Sequence, residues 1–506
     1  MRPTMTQVEI GALLAVAQDH AFAQPAGSQL RATVLGQRLA TAAGADAAER
    51  ATTWWTSALR FLGCTGHAFD MAVVFGDEIE MRAESMAADF ANPFDMMRLM
   101  VTHAGPGTAG VNRLRSVLAV LAGGKKAAEL NFRAACEVAD VFAKRLDLSE
   151  DVRASLAGSF ERWNGRGLPT GAKGERIPRP MRMAQLSQEL EVLARIEGID
   201  GALAIIRRRR GKAYDPQLTD VALAEGAKWW DDVEPLDPWD AALEVAPPSP
   251  PLGEDAVHES LLVLADFSDL KSPWLGGHSR AVAGLAREAC GPEAEAAALV
   301  HDLGRVAVAN TVWDKPASLT RDERDRAEIH ALVTDQLLRR LPYTASMADT
   351  ACSSHERLDA SGYHRRLRSG HLDEAQRVLA AADCYQAMVS DRPHRPALSR
   401  DEAAIELRAM GAGGRLDGEA VERVLAVAGH RRAARPALPA GLTAREAEVL
   451  RLIALGLTTR QVAERLVITA KTADHHVQHI YAKIGASTRG AAALFAIEHG
   501  ILATDR

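Results

Sequence analysis

The most constraining feature of this 506-residue sequence is a run of helix start and stop signals beginning at Gly441. Thr443, followed three residues later by Glu446, has the pattern of a capping box, which satisfies the free backbone N–H groups of a helix start. Gly456 and Gly485 stand where helices should end, because glycine readily adopts the left-handed conformation that closes a helix. The predicted helices begin at Thr443, Thr459, Thr469 and about Thr488.

The third of these helices, predicted from Ala470 to Ile484, has one apolar and one polar face. Its apolar side chains recur at helical spacing and can pack on the other helices. Its lysine, threonine and histidine side chains suit the major groove of DNA, and a short turn joins it to the second helix. An ordinary helical bundle with a solvated face is the alternative. The predicted DNA-binding residues are Thr459, Thr469, Lys471, Thr472, His475, His476 and Lys483.

The segment from about Leu442 to Leu502 resembles the LuxR-type C-terminal DNA-binding domain. The resemblance implies that the helix from Ala470 to Ile484 is the recognition helix and that double-stranded DNA is the partner. It also implies that the last helix supports a homodimer on DNA. Ala473 stands where the family usually has valine, so the base preference of the family does not transfer.

Composition places the chain among globular proteins of several domains, with 47% apolar residues, 25% charged residues and a net charge of -6. An acidic chain is not coated by nucleic acid, so contact with DNA must be local. Five scattered cysteines without a CxxC pair argue against structural zinc and a disulfide framework. With no signal peptide or long apolar run, we expect a cytoplasmic protein that does not use a membrane.

Two proline-rich segments divide the chain. The first, residues 231–255, is also acidic and cannot be one continuous helix. The second is residues 431–440. These linkers predict domains at residues 1–230, 256–430 and 441–506, all with helical rather than strand patterning.

The first two domains share a sequence pattern. Phe160–Gly167 aligns with His355–Gly362 without a gap, which indicates a diverged duplication. The first copy keeps the turn glycines but has Phe160 in place of His355. The same shift pairs Arg182 with Arg377 and Gln188 with Asp383.

Imidazole and carboxylate groups in the middle domain are candidates for metal binding. His301 and Asp302 follow an apolar stretch, and Asp383 lies on a helix that must be largely buried. A buried aspartate is costly unless it is paired or bound to a metal, and mixed histidine and carboxylate ligands suit Fe, Mn or Zn. Singly, each histidine is more often a capping or surface residue, and Asp383 could instead pair with Arg377 or Arg392.

The segment from about Gly277 to Gly429 resembles the HD-GYP branch of the HD phosphohydrolases, through HSRAV, LVHDLGRVAVANTVWDKPASLT, HERLDASGYH and RVLAAADCYQAMVSDRPHR. The resemblance implies an all-helical fold, two or three divalent metal ions and hydrolysis of cyclic di-GMP. It places Arg305 at a family lysine that approaches the phosphate. The implied metal ligands are His278, His301, Asp302, His330, His355 and Asp383.

The sequence departs from the family at several of these positions. Ser354 replaces the first of two paired histidines, and the Gly-Tyr-Pro signature ends here in His364, which is a candidate replacement ligand. Gln386 replaces an expected second carboxylate, and Trp274 an acidic residue found in some members. These departures predict one or two metal ions rather than three.

The expected fold class is all-α, with two HD-domain-like bundles, the first of them degenerate, followed by a four-helix LuxR-type domain. The first functional hypothesis is a DNA-binding transcription regulator whose middle domain senses a nucleotide or similar ligand through the metal site. The alternative is an active metal-dependent phosphodiesterase with a cyclic di-GMP-like substrate, in which Asp302 and Arg305 are catalytic. A third is that both helical domains only dimerise the regulator.

Overall fold

The computed structural model describes residues 4–88, 93–103, 110–429 and 438–502. Within these ranges the chain is helical and contains no β-strand beyond isolated bridges, which confirms the all-α prediction. It divides into two compact units, one ending at Ala256 and the other beginning at Val257. No helix in the described ranges is both long and apolar enough to cross a membrane.

The first unit contains eleven helices within its described residues. They are α1 (Gln7–Ala21), α2 (Ser28–Ala42), α3 (Ala47–Ala58), α4 (Ala68–Phe75), α5 (Glu78–Ser85), α6 (Pro93–His103), α7 (Gly110–Arg145), α8 (Glu150–Leu156), α9 (Arg179–Arg209), α10 (Pro216–Val233) and α11 (Pro238–Glu244). A capping box between Thr6 and Glu9 begins α1, and α9 is broken at Gly198, whose φ is 72°.

The proline-rich segment 231–255 is broken as predicted, since α10 ends at Val233 and α11 is short. The carbonyl of Ala242 on α11 accepts a hydrogen bond from Trp54 Nε1 at 2.9 Å, so this part of the segment packs within the first unit. The second predicted linker, residues 431–440, lies mostly outside the described residues.

The second unit begins with nine helices around a buried centre. They are α12 (Glu254–Asp269), α13 (His278–Cys290), α14 (Pro292–Val300), α15 (Asn310–Trp313), α16 (Arg321–Leu338), α17 (Pro342–Ala351), α18 (Glu374–Val389), α19 (Arg400–Ala412) and α20 (Gly418–Gly429). Helix α13 packs against α14 and α18, and α16 packs against a 3₁₀ turn at Leu303–Ala307.

The C-terminal helices follow the capping signals of the sequence. They are α21 (Ala444–Ala454), α22 (Thr459–Arg465), α23 (Ala470–Ile484) and α24 (Arg489–Glu498). The capping box of Thr443 and Glu446 is present, and Gly485 closes α23 with a φ of 68°. One cap was placed wrongly: the side chain of Thr458, not Thr459, accepts from the N–H of Gln461 and begins α22. Only Thr458 has the extended backbone that an N-cap requires.

Matched ion pairs support the internal duplication. Arg182 pairs with Asp215 in the first unit, and Arg377 pairs with Asp417 at 3.0 Å in the second. Both aspartates also cap the helix that follows, each accepting from backbone N–H groups two and three residues further on. The two copies therefore share tertiary contacts as well as residue types.

A second matched contact closes a loop in each unit. The carboxylate of Glu161 accepts from the N–H of Thr170 at 2.7 Å, and the carboxylate of Glu356 accepts from the N–H of Arg365 at 2.7 Å. Both glutamates are buried, at 2% and 1% exposure, so each loop is held by an internal carboxylate. In the second unit this loop follows His355 directly.

Candidate metal centre

His278 is the first residue of α13 and is fixed by the geometry of that helix start. Gly277 before it has a φ of 76°, a left-handed conformation that glycine adopts without strain. The carboxylate of Asp269 accepts from both the N–H and the hydroxyl of Ser279 at 2.8 Å. This buried cap holds the imidazole of His278 at the centre of the unit, where it is 3% exposed.

His301 and Asp302 lie where α14 ends and the 3₁₀ turn begins. The turn can approach α16 closely because Gly304 has no side chain: a Cβ atom there would collide with the carbonyl oxygen of His330. The N–H of Gly304 also donates to the Thr334 hydroxyl at 2.9 Å. This close approach brings His330 beside Asp302, although they are far apart in sequence.

The six predicted ligands lie together and are all buried. They form two groups that share Asp302, and within each group the candidate ligand atoms lie within 4.8 Å of one another. The first group is His278, His301, Asp302 and Asp383, and the second is Asp302, His330 and His355.

Distances within the groups show how the shared aspartate lies between them. Oδ2 of Asp302 lies 2.7 Å from Nε2 of His301, while its Oδ1 lies 3.3 Å from Nε2 of both His330 and His355. Asp383 extends the arrangement, with Oδ1 3.1 Å from Nε2 of His278 and Oδ2 3.4 Å from Nδ1 of His355. A carboxylate with histidines on both oxygens can bridge two cations.

Two of the imidazoles are oriented by backbone carbonyls. Nδ1 of His301 donates to the Ala298 carbonyl at 2.7 Å, and Nδ1 of His330 donates to the Ala327 carbonyl at 2.5 Å. In the neutral imidazole, this leaves Nε2 of each ring with a lone pair directed at Asp302. Metal-binding histidines are commonly oriented in this way, and the residues present fit divalent cations.

One unpartnered atom agrees with that fit. Among the described residues, Nε2 of His301 has no hydrogen-bond partner although it is fully buried, and the Asp302 oxygen beside it is contacted by Arg305. Burial lowers the pKa of His301, but Asp302 and Asp383 outweigh that effect and raise the pKa to about 10. A proton on His301 and a metal cation are therefore alternative ways of neutralising the same carboxylates.

The pKa values of Asp302 and His355 favour the charge states that bind metal ions. Burial raises the pKa of Asp302, but Arg305 and His301 outweigh it and hold the pKa well below its usual value. Burial lowers the pKa of His355 to about 4, which keeps that imidazole neutral. Ionised carboxylates and neutral imidazoles are the forms that bind metal ions.

Arg305 lies at the edge of the centre. Its Nη2 is 2.7 Å from Oδ2 of Asp302, and its guanidinium lies over the ring of Trp313 at 5.4 Å. Its Nε and Nη1 atoms are buried without a hydrogen-bond partner among the described residues. These two donors lie on different sides of the planar guanidinium, so each is free to donate to a separate anionic oxygen.

Arg392 is a second cation near this site, and the sequence did not indicate that it would lie close to Arg305. Burial and the charge of Arg305 lower its pKa to about 10, while Asp383 and Asp302 act in the opposite direction. No ion pair is formed by its side chain within the described part of the chain. The RPHR stretch, which carries Arg392, was the only signal in the sequence.

Other arginines near the centre are already engaged. Arg280 makes a two-point ion pair with buried Asp266 at 2.7 and 2.6 Å. Arg377 pairs with Asp417 instead of Asp383, so that alternative for Asp383 is wrong.

The residues that depart from the family pattern lie outside the two ligand groups. Ser354 is 1% exposed and its hydroxyl has no hydrogen-bond partner among the described residues. His364, a candidate replacement ligand, belongs to neither group. Gln386 donates to the Ser390 hydroxyl at 3.2 Å, within its own helix.

The predicted DNA-binding face lies mainly on α23. Lys471, Thr472 and His475 are exposed there, His476 is partly exposed, and the opposite face of the helix is buried. The other predicted contacts have structural roles of their own. Thr469 caps α23, Thr459 is the first residue of α22, and Lys483 lies 2.7 Å from the carboxylate of Glu446.

Comparisons with known proteins match both regions. Residues 263–420 match the HD domain, and residues 440–496 match the bacterial regulatory proteins of the luxR family. A 3′3′-cGAMP-specific phosphodiesterase 3 from Vibrio cholerae is 27% identical over 406 residues, covering 77% of this chain and 88% of that protein. A cyclic di-GMP phosphodiesterase from Thermotoga maritima is 30% identical over 163 residues, covering 30% of this chain and 44% of that protein.

A solved structure shares the fold of most of the chain. The crystal structure of a cyclic GMP-AMP specific phosphodiesterase from V. cholerae has a TM-score of 0.57 at 23% identity. It covers 84% of this chain and 98% of that chain, so the likeness extends through both helical units. The chain therefore combines an HD domain with a C-terminal domain of the LuxR type.

Proposed function

We propose that this protein is a metal-dependent phosphodiesterase that cleaves a cyclic dinucleotide, carried on the same chain as a DNA-binding domain. The observation that supports it best is the complete set of six buried ligands in two groups sharing Asp302. A domain that only dimerised a regulator would have no need of this costly arrangement of buried polar groups. Relatives named as phosphodiesterases of 3′3′-cGAMP and cyclic di-GMP give the substrate class.

The ligand groups divide the binding of two cations between them. His278, His301 and Asp383 would hold one cation, His330 and His355 the other, and Asp302 would contribute to both. Divalent cations bound there supply Lewis-acid activation of water and of the phosphoryl oxygen. The hydrogen bonds to Ala298 and Ala327 keep the imidazoles oriented with no reorganisation during the reaction.

Arginine residues would bind the substrate phosphate. The free Nε and Nη1 atoms of Arg305 would donate to oxygens on different sides of the guanidinium, and its charge would offset the negative charge that develops on the phosphate. Arg392 adds positive charge from a different loop. Preorganised cations in a buried site stabilise such charge far more than in water.

Hydrolysis by the purified full-length chain tests the proposal. The protein is incubated with Mn²⁺, Fe²⁺ or Zn²⁺ and with 3′3′-cGAMP or cyclic di-GMP, and linear products are separated by chromatography. We expect turnover that is lost in Asp302→Asn and His330→Ala. His371→Ala is the control, because His371 is exposed and belongs to neither ligand group. Metal binding without turnover of either dinucleotide would contradict the proposal.

A second function is supported by the LuxR-family domain, with exposed Lys471 and Thr472 on α23. We infer that the protein binds double-stranded DNA as a homodimer and that nucleotide at the metal centre changes that binding. Gel shifts with genomic fragments, with and without cyclic dinucleotide, test this inference. Nucleotide-dependent DNA binding by a protein without turnover would identify a sensor rather than an enzyme.

A further inference from the structure

The first unit contains a cavity at the position that the metal centre occupies in the second. Gly63 lies as close to the backbone of Ala135 and Ala139 as Gly304 does to that of His330 and Thr334. This contact places Ala135 at the position of His330. Arg60 and Phe61, just before Gly63, then correspond to His301 and Asp302.

The start of α2 gives another correspondence. Gly27 has a φ of 94°, and its N–H donates to the buried carboxylate of Asp19, which also accepts from the N–H of Gln29. In the second unit, Gly277 is also left-handed, and Asp269 accepts from the N–H of Ser279, which follows His278 as Gln29 follows Ser28. These two correspondences and the sequence alignment together give the first-unit residues at the six ligand positions. They are Ser28, Arg60, Phe61, Ala135, Phe160 and Gln188.

Four of these replacements line a cavity of about 180 Å³: Arg60, Phe61, Phe160 and Gln188. Aromatic rings form much of its wall, with Phe160 4.3 Å from Phe132 and 6.5 Å from Phe61 between ring centroids. A dry cavity of about 150 Å³ is enough to bind benzene. The volume therefore suits a single aromatic ring, and the loss of imidazoles and carboxylates removes the metal site.

The cavity is also strongly cationic. Four arginines line it, against one carboxylate, that of Glu189, which is paired with Arg209. Arg60 makes no ion pair with a carboxylate within the described ranges, and its Nε has no hydrogen-bond partner. Burial and the neighbouring charge of Arg162 lower the pKa of Arg60 to about 9. An anion in the cavity would relieve this uncompensated charge.

Arg82, which also lines the cavity, repeats the pattern. It is 2% exposed, donates to the carbonyl of Cys64 at 2.6 Å, and leaves its Nε without a hydrogen-bond partner. Its guanidinium lies 5.2 Å from the ring centroid of Phe22, as that of Arg60 lies 5.0 Å from Phe61. Cation–π contacts hold both charges in place beside an apolar space.

We propose that the first unit binds a small aromatic anion, with the ring against the phenylalanine side chains and a carboxylate or phosphate on Arg60 and Arg82. The position of the candidate metal centre in the second unit would thus be, in the first unit, a metal-free site for a small molecule. This proposal does not depend on catalysis by the HD domain.

Calorimetric titration of the full-length protein tests the site with benzoate, phenyl phosphate and toluene as probes. We expect saturable binding of at least one anion and much weaker binding of toluene, because the arginines require a charge. The stronger of the two anions identifies the head group. Arg60→Gln should weaken binding at least about tenfold by removing a charge-assisted contact, and Ala128→Leu should abolish it by filling the cavity.

Two control variants locate the binding. Arg38→Gln removes an exposed arginine of the same unit that pairs with Asp232, and His301→Ala disrupts the metal centre. Both should bind the anions as the unmodified protein does. The proposal would be overturned if neither anion bound, if toluene bound equally well, or if His301→Ala lost anion binding. It would also be overturned if neither Arg60→Gln nor Ala128→Leu changed anion binding.

Discussion

Nε2 of His301 lies 2.7 Å from Oδ2 of Asp302, and Nη2 of Arg305 lies 2.7 Å from the same oxygen. Because Nδ1 of His301 already donates to a backbone carbonyl, the neutral ring can offer only a lone pair to that carboxylate. Two lone pairs at this distance repel each other unless a proton or a cation is shared between them. This relationship is the physical basis for the proposed metal centre.

Removal of metal should destabilise the second unit. A ligand that binds only the folded state stabilises it by about 2.7 kcal/mol at a concentration 100 times its dissociation constant. We therefore expect a chelator to lower the melting temperature and Mn²⁺, Fe²⁺ or Zn²⁺ to restore it. Scanning calorimetry with elemental analysis measures both effects. His301→Ala should reduce bound metal and the response to chelator, and His371→Ala should change neither.

Arg305 should act mainly on the transition state. We expect Arg305→Gln to lower kcat/KM about 100-fold, by analogy with the loss of one preorganised electrostatic group. Arg305→Lys should recover part of this activity, because it restores the charge but not the planar pair of donors. Steady-state kinetics measures the effect, with Arg287→Gln as a control, since Arg287 is exposed and pairs with Glu295. Equal loss in the control would contradict the assignment.

Arg392 should contribute to substrate binding. It has no carboxylate partner at hydrogen-bond distance in the described residues. Burial and the nearby charge of Arg305 lower the pKa of Arg392 to about 10. We expect Arg392→Gln to raise KM by about tenfold, the effect of losing one charge-assisted contact. The dependence of the rate on substrate concentration separates KM from kcat. An unchanged KM would show that Arg392 does not contact the substrate.

Glu446 should stabilise the C-terminal domain at neutral pH. Its hydrogen bond with Lys483, followed by that from the N–H of Thr443, lowers its pKa to about 2. A carboxylate whose pKa is lowered by folding stabilises fully above its unfolded pKa, about 4.3, and the contribution is lost as the pH falls toward 2.

Glu446→Gln keeps the capping geometry but removes the charge, so we expect a loss of about 1 kcal/mol at pH 7. Hydrogen exchange of peptides from residues 441–502 in the full chain measures the local free energy of opening. The difference from the unmodified protein should shrink as the pH falls below about 4. Glu464→Gln is the control, because its pair with Arg460 is exposed and should contribute little.

Lys471 should neutralise a DNA phosphate. It is exposed near the start of α23, and each neutralised phosphate contributes about −0.9 to the slope of log K against log salt. We expect Lys471→Ala to weaken binding to all sequences similarly and to reduce that slope by about one. Lys483→Ala should reduce it less, because Glu446 already neutralises that amine. Gel-shift titrations at several salt concentrations distinguish the two lysines.

The sequence predicted the local structure well where capping chemistry determines it. Thr443, Glu446 and Gly485 define helix ends through bonds to their own backbone neighbours, so no tertiary information was needed. The error at Thr459 was one residue, because two adjacent threonines have equal capping chemistry and only the backbone conformation distinguishes them.

The candidate metal ligands were also predicted, but in part from the resemblance to the HD-GYP family. Spacing shows that His301 and Asp383 follow apolar stretches; it does not show that they meet. Arg280 illustrates the limit, since its partner Asp266 lies on a different helix and removes it from the phosphate site. Which arginine remains free depends on contacts between helices that sequence spacing does not encode.

By itself, the sequence determined the helical class, most helix ends of the C-terminal domain and the residue types able to bind metal or DNA, because these follow from short-range patterns. Only the tertiary structure decided that Asp302 is shared by two ligand groups and that Arg305 keeps free donors. It alone revealed the cationic cavity around Arg60. Such features arise where distant helices pack, and the distances between their side chains are fixed only by that packing.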